Sequence, residues 1–97
     1  MVYKVAYANG IEEDLARLDK PVRRKIIDKI EGYLARDPQG LGKPLTGIFK
    51  GFWRYRFDDY RVVYRIAHKE ILVTVFRIGH RKNVYSKAIA LPKMPRS

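Results

Sequence analysis

Arginine recurs at alternating positions through the middle of this chain. Arg54 and Arg56 lie in WRYRF, and Arg61 and Arg65 lie in YRVVYRIA, two stretches otherwise filled with aromatic and β-branched residues. Interior strand positions normally carry such apolar side chains, so arginine at every second position requires a sheet with one solvated face. Side chains alternate across a strand: Trp53, Tyr55 and Phe57 share one side, and Arg54 and Arg56 the other. In the next stretch Tyr60, Val62, Tyr64 and Ile66 share a side, and Arg61, Val63 and Arg65 its opposite. A guanidinium stays charged and grips phosphate oxygens through two hydrogen bonds, so an arginine face is a candidate phosphate-binding surface. The same persistence of charge makes arginine a poor general base. The competing reading is that these arginines only solvate the free face of a sheet and guard it against edge pairing.

A third segment, EILVTVFRIG, follows after His68-Lys69, and Asp58-Asp59 separates the first two, so residues 53–79 read as an antiparallel meander. Upstream, VYKVAY over residues 2–7 reads as a first strand, stopped by Asn9-Gly10. Asn9 and Glu12 have the spacing of a helix cap with its reciprocal carboxylate, and Glu12, Glu13 and Asp14 place negative charge where a helix dipole favours it. Ile11, Leu15 and Leu18 mark one face of that short helix. Lys20-Pro21 restarts the chain, and Val22, Ile26, Ile30, Tyr33 and Leu34 recur at helical spacing, with Ile27 widening the stripe. Asp37-Pro38 ends this second helix, and residues 39–45 read as a loop. Residues 81–90 are expected to form a final short helical turn or helix, and residues 91–97, with Pro92 and Pro95, a frayed tail. The order predicts a single α+β domain over residues 1–97: an N-terminal strand, a helical hairpin, then a three-strand antiparallel meander, with the helices on one face of one sheet.

Composition sets the limits of function. The chain has 97 residues, enough for one core and too few for two. Its hydrophobic fraction of 46% belongs to a globular protein, so a formal charge of +11 sits on a folded surface and implies an anionic partner. There is no cysteine, which removes disulfides, thiolate chemistry and most structural zinc sites. Glu12, Glu13 and Asp14 are accounted for by a helix start and Asp58-Asp59 by a turn, so neither a metal site nor any other cofactor is expected. MVYKVAYANG lacks the apolar core of a signal peptide and no run approaches a membrane span, which makes a cytoplasmic protein without membrane contact the expectation.

With the helical hairpin, YRVVYRI and then IGHRKNVY in hand, the chain resembles the RelE family of toxins, within the wider RelE/ParE superfamily. LDKPVRRKIIDKIEGYLARDP looks like the family's hairpin, and KPLTGIFKGFWRYRFDDYRVVYRI like its approach to the sheet. The resemblance implies a ribosome-dependent endoribonuclease that cuts mRNA in the ribosomal A site and is neutralised by an acidic RelB-like antitoxin. It also implies working residues: Arg54 and Arg56 stand at the family's paired basic positions, Arg61 in its Tyr-Arg segment, Arg81 after the last strand, and Tyr85 shortly beyond. Two departures stand out. Arginine replaces the lysine usual in ribosome-bound members, and the Asp58-Asp59 turn is shorter and more acidic.

Under that resemblance the chemistry follows from RNA itself, whose 2'-hydroxyl is the nucleophile. Tyr85 is the expected base, its pKa lowered by nearby arginines. Arg54, Arg56 and Arg61 would hold the phosphate and its developing charge, and Arg81 would face the leaving oxygen. Arg65, His80 and Lys82 are expected to add RNA contacts. For His80 a structural role competes with proton transfer, and Arg65 and Arg77, which have no counterpart among the family's working residues, are better explained by surface solvation or an antitoxin contact. Trp53, Tyr55, Tyr60 and Tyr64 fall opposite the arginines and are expected in the core rather than under stacked bases. Two other functions compete: a ParE-like inhibitor of DNA gyrase without nuclease activity, and a basic nucleic-acid-binding module without catalysis.

Overall fold

The structure is a computed structural model that describes residues 2–82 and 84. The helix expected over residues 81–90 falls outside the described residues from position 85 on, as do Tyr85 and the tail expected over residues 91–97.

The meander forms as its alternation requires. Strands β3 (Trp53–Phe57), β4 (Tyr60–Ala67) and β5 (Leu72–His80) pair antiparallel, with Trp53 opposite Tyr64 and Tyr60 opposite His80. The N-terminal strand β1 (Lys4–Tyr7) runs parallel to β5, Lys4 against Leu72 and Tyr7 against Val75. On the far edge a two-residue strand, β2 (Lys43–Pro44), pairs Lys43 with Arg54. The sheet is therefore mixed and five-stranded, in the order β1-β5-β4-β3-β2.

Helices α1 (Ile11–Ala16) and α2 (Lys20–Gly32) lay their apolar stripes on the aromatic side of this sheet. Ile11, Ile26, Ile30 and Leu34 meet Val62, Tyr64, Ile66, Val73, Val75 and Ile78, with Trp53, Tyr55, Phe57 and Tyr60 packed partly against them. Each aliphatic side chain so buried contributes roughly 1.5–3 kcal/mol. No helix among the described residues is long and apolar enough to cross a membrane.

Local details differ from the sequence reading where backbone geometry overrides side-chain pattern. The cap of α1 is Gly10, at φ 97°, and not Asn9; no side chain bonds there, and glycine takes that left-handed backbone without steric cost. Asp37-Pro38 opens a helix instead of closing one: α2 has already ended at Gly32, Leu34–Arg36 form a 3-10 turn, and the Asp37 carboxylate accepts from Gly40 N to cap α3 (Pro38–Leu41). The loop expected over residues 39–45 thus contains most of α3 and all of β2. Strand β5 begins at Leu72, because Glu70 and Ile71 belong to the turn, with Ile71 at φ 50°. A β-bulge breaks the register of β4 with β5, which runs from Val63–Arg77 to Tyr64–Val75 and leaves Phe76 as the extra residue. That shift is why Val73, Val75 and Ile78 all reach the same core.

Tyr64 ties the α3–β2 segment to the sheet. It is fully buried, and its hydroxyl donates to the Pro38 carbonyl. Gly42 passes so close that a Cβ there would overlap the Tyr64 hydroxyl and approach Arg54 O at 2.9 Å. Gly42→Ala is therefore expected to cost about 1–3 kcal/mol, read from the urea midpoint; an unchanged midpoint would remove this contact from the account. Burial, then the Asp37 carboxylate and the neighbouring Tyr55, push the Tyr64 hydroxyl well above its ordinary pKa of 10.0. The unfolded chain releases this proton near pH 10 and the folded chain does not, so the stabilisation is complete below about pH 10 and lost as pH rises above it. Urea midpoints measured upward from pH 9 should fall less steeply for Tyr64→Phe than for the parent. Equal slopes would show that Tyr64 is not a source of the alkaline sensitivity.

Candidate nucleic-acid interface

On the side of the sheet away from the helices, register sets the basic residues in rows. Arg56 lies directly opposite Arg61, which lies opposite Gly79. In the adjacent row Lys43 faces Arg54, and Arg54 faces Val63. Like charges directly opposite one another are unfavourable across a strand pair, so the Arg56–Arg61 pairing creates a place where an anion would relieve repulsion. Lys43 is a contributor that the sequence pattern did not reveal. It precedes a proline in what read as a loop, and only the β2 pairing places it beside Arg54.

Exposure divides this set. Arg56 is exposed and Arg54 half-buried, whereas Arg61 is only 7% exposed, which corrects the expectation that it stands on an open face. The reason is local. Arg61 Nη1 donates to the carbonyls of Asp58 and Tyr60 at 3.2 and 3.0 Å, so the guanidinium folds back on the β3–β4 turn. A buried charge needs such partners to offset its lost hydration.

The arginine side is also less uniformly polar than alternation implies. Phe52, Val63 and Val84 are buried there, with Leu45 and Phe76 packed against them, and the rings of Phe52 and Phe76 meet edge to face at 5.3 Å. Val84 lies over Gly79, and its N–H bonds His80 O at 2.9 Å. The basic residues therefore border a small apolar centre. Arg65, half-buried opposite Thr74, lies four residues along β4 from Arg61, roughly 13 Å, and is not part of the Arg56–Arg61 row.

The β3–β4 turn brings in a residue from the end of β5. Arg81 N donates to Asp59 O at 2.7 Å, and its Nε lies 3.8 Å from the Asp59 carboxylate. Adjacent carbonyls of one turn thus hold Arg61 and Arg81, and the acidic character of Asp58-Asp59 supplies an ion pair at the rim. His80 points the other way. It stands opposite Tyr60, on the helix side, with the two rings edge to face at 5.8 Å, and its Nδ1 accepts from Lys82 N at 3.2 Å. Lys82 is exposed in the turn that follows.

Arg77 is neither a solvating residue nor a free contact. Its Nε lies 3.2 Å from Asp14 Oδ2, and its side chain is 16% exposed against 7% for Asp14. The same carboxylate oxygen accepts from Ile78 N at 3.0 Å. A cavity of about 380 Å³ opens beside this pair, with Arg17, Tyr60 and His80 among its walls.

Comparison with known proteins agrees with this architecture. The sequence model of a family described as the ParE toxin of type II toxin-antitoxin system, parDE, matches residues 5–85. Toxin RelG of Mycobacterium tuberculosis is 30% identical over 87 residues, covering 90% of this chain and 100% of that protein. Toxin RelE of the same organism is 34% identical over 83 residues, 86% of each chain. The toxin-antitoxin complex RelBE2 from M. tuberculosis superposes with a TM-score of 0.80 at 30% identity, covering 84% of this chain and 100% of the matched one. A mixed sheet carrying a basic face, backed by two helices, and these matches along most of its length together make the chain a type II toxin of the RelE/ParE superfamily.

Proposed function

We propose that the chain is a ribosome-dependent endoribonuclease that cuts translated mRNA in the cytoplasm. The observation that carries this reading is the convergence of Arg56, Arg61 and Arg81 around the β3–β4 turn, with Arg54 in the next row. RNA bound there would meet exposed Arg56 first, while buried Arg61 adds its charge from beneath. The 2'-hydroxyl attacks the adjacent phosphorus, and the bond to the 5' oxygen of the next nucleotide breaks, leaving a 2',3'-cyclic phosphate and a 5'-hydroxyl. Tyr85, the proposed base, takes the hydroxyl proton. Arg54, Arg56 and Arg61 offset the charge growing on the phosphorane. Arg81 faces the leaving oxygen, as acid or as an electrostatic substitute for one. Lys82 would add a backbone contact. His80, directed to the helix side, is better read as a support for Tyr60 than as a proton carrier.

Inhibition of DNA gyrase is the second reading, favoured by the ParE character of the matching family. The cognate partner we propose is an acidic, RelB-like antitoxin, supported by the similarity to a toxin that forms the RelBE2 complex. An acidic segment complements the basic face, which borders the apolar centre of Phe52, Val63 and Val84.

The test is cleavage of a defined mRNA on programmed ribosomes, beside a gyrase supercoiling assay. The parent should cleave only translated message, and Tyr85→Phe should lower the rate by about 100-fold or more. Tyr85→Phe at the parental rate would remove Tyr85 as the base. A parent that leaves mRNA intact while blocking supercoiling would establish the second reading instead.

A further inference from the structure

The apolar stripe that runs along α1 and on to Leu18 just beyond it contains one charge. Ile11, Asp14, Leu15 and Leu18 fall at the three- and four-residue spacing that faces a core, and Asp14 is buried almost as deeply as Ile11. Leucine at position 14 would complete the stripe, and a buried ion pair replaced by apolar side chains of similar volume often costs little stability. What leucine could not replace is the acceptor this carboxylate offers to a backbone N–H of β5, and that contact points to its use.

Strand β1 pairs with β5 only as far as Val75, whose carbonyl accepts the Ala8 N–H. Past that point no strand among the described residues lies on the outer edge of β5, yet it must run on to deliver Gly79 beside Arg61 and Arg81 to the β3–β4 turn. Asp14 takes the place of the missing strand. Its Oδ2 receives the Ile78 N–H at 3.0 Å and Arg77 Nε at 3.2 Å, just where the bulge has redirected the chain. Three residues further on, the Arg81 N–H is held from the opposite edge by Asp59 O. The last residues of β5 are thus pinned on both sides, by α1 outside and by the β3–β4 turn inside.

We infer that Asp14 is a positioning residue: by anchoring Arg77 and the Ile78 amide it sets where Arg81 stands relative to Arg61. Its effect on cleavage rests on the nuclease reading above, whereas its effect on the strand end does not. An error of about 1 Å in such a group can cost two orders of magnitude in rate, so a small drift is enough.

The experiment uses the full chain with Asp14→Leu/Arg77→Met, which removes the pair without stranding either charge, and measures amide hydrogen exchange together with cleavage on ribosomes. Exchange at Gly79, His80 and Arg81 should quicken by about tenfold or more while Val73 and Val75, beside β1, keep the parental rate. The turnover number should fall by about tenfold or more with KM within about twofold, and Asp14→Asn, which keeps an oxygen for the Ile78 N–H, should recover most of both. Parental exchange at Arg81, or parental turnover, in the double variant overturns the inference. Should that variant not fold, Asp14→Ala/Arg77→Gln, which likewise strands neither charge, is read by the same criteria. If the parent itself does not cleave mRNA, the nuclease reading fails, and the exchange result alone decides the role of Asp14.

Discussion

The pleat of β3 and β4 is the constraint from which the rest follows. Once Trp53, Tyr55, Tyr60, Val62 and Tyr64 must turn toward α1 and α2 to be buried, period two leaves Arg54, Arg56 and Arg61 no choice but the other face. A slip of one residue in register would drive guanidinium groups into the core, so the hydrophobic interface and the basic face specify one another. Packing and candidate site are two sides of a single sheet.

Within that frame the Asp58-Asp59 turn carries unusual responsibility. Asp58 adopts a positive φ of 55°, and the carbonyls of the turn reach Arg61 from one strand and the Arg81 amide from another. Short-range backbone geometry therefore organises charges far apart in sequence. The carbonyl contacts also explain how a guanidinium survives burial beside a second one: the protein supplies acceptors that water would otherwise provide. Arg56 stays exposed, which leaves it suited to first contact with an incoming phosphate.

Much of this was legible in the amino-acid pattern because it depends on periodicity. The three central strands, the aromatic side, the helical hairpin and the side on which Arg54, Arg56 and Arg61 lie all follow from spacing alone. The misses have physical causes of a different kind. The bulge at Phe76 changes strand parity without any turn residue to announce it, and β1 joins β5 in parallel through a connection of more than sixty residues that no local signal reports. Gly10 replaces Asn9 as a cap because backbone φ decided the matter. Asp14 looked like one of three acids at a helix start, and its partner Arg77 like a surface residue. Its position in the stripe with Ile11, Leu15 and Leu18 was the available clue, visible only if a charge is allowed into an apolar pattern. The burial of Arg61 could not be read from sequence, since it comes from the path of the turn.

Cleavage of translated message by a phosphate-gripping arginine face is the claim on which the functional account stands, and mapping RNA ends in cells tests it most directly. After induction of the protein alone, mRNA 5' ends should be mapped with translation running and with translation blocked. The account predicts new ends bearing 5'-hydroxyls inside translated coding regions, absent when translation is blocked. Message that stays intact under both conditions, or ends that form equally without translation, would contradict it.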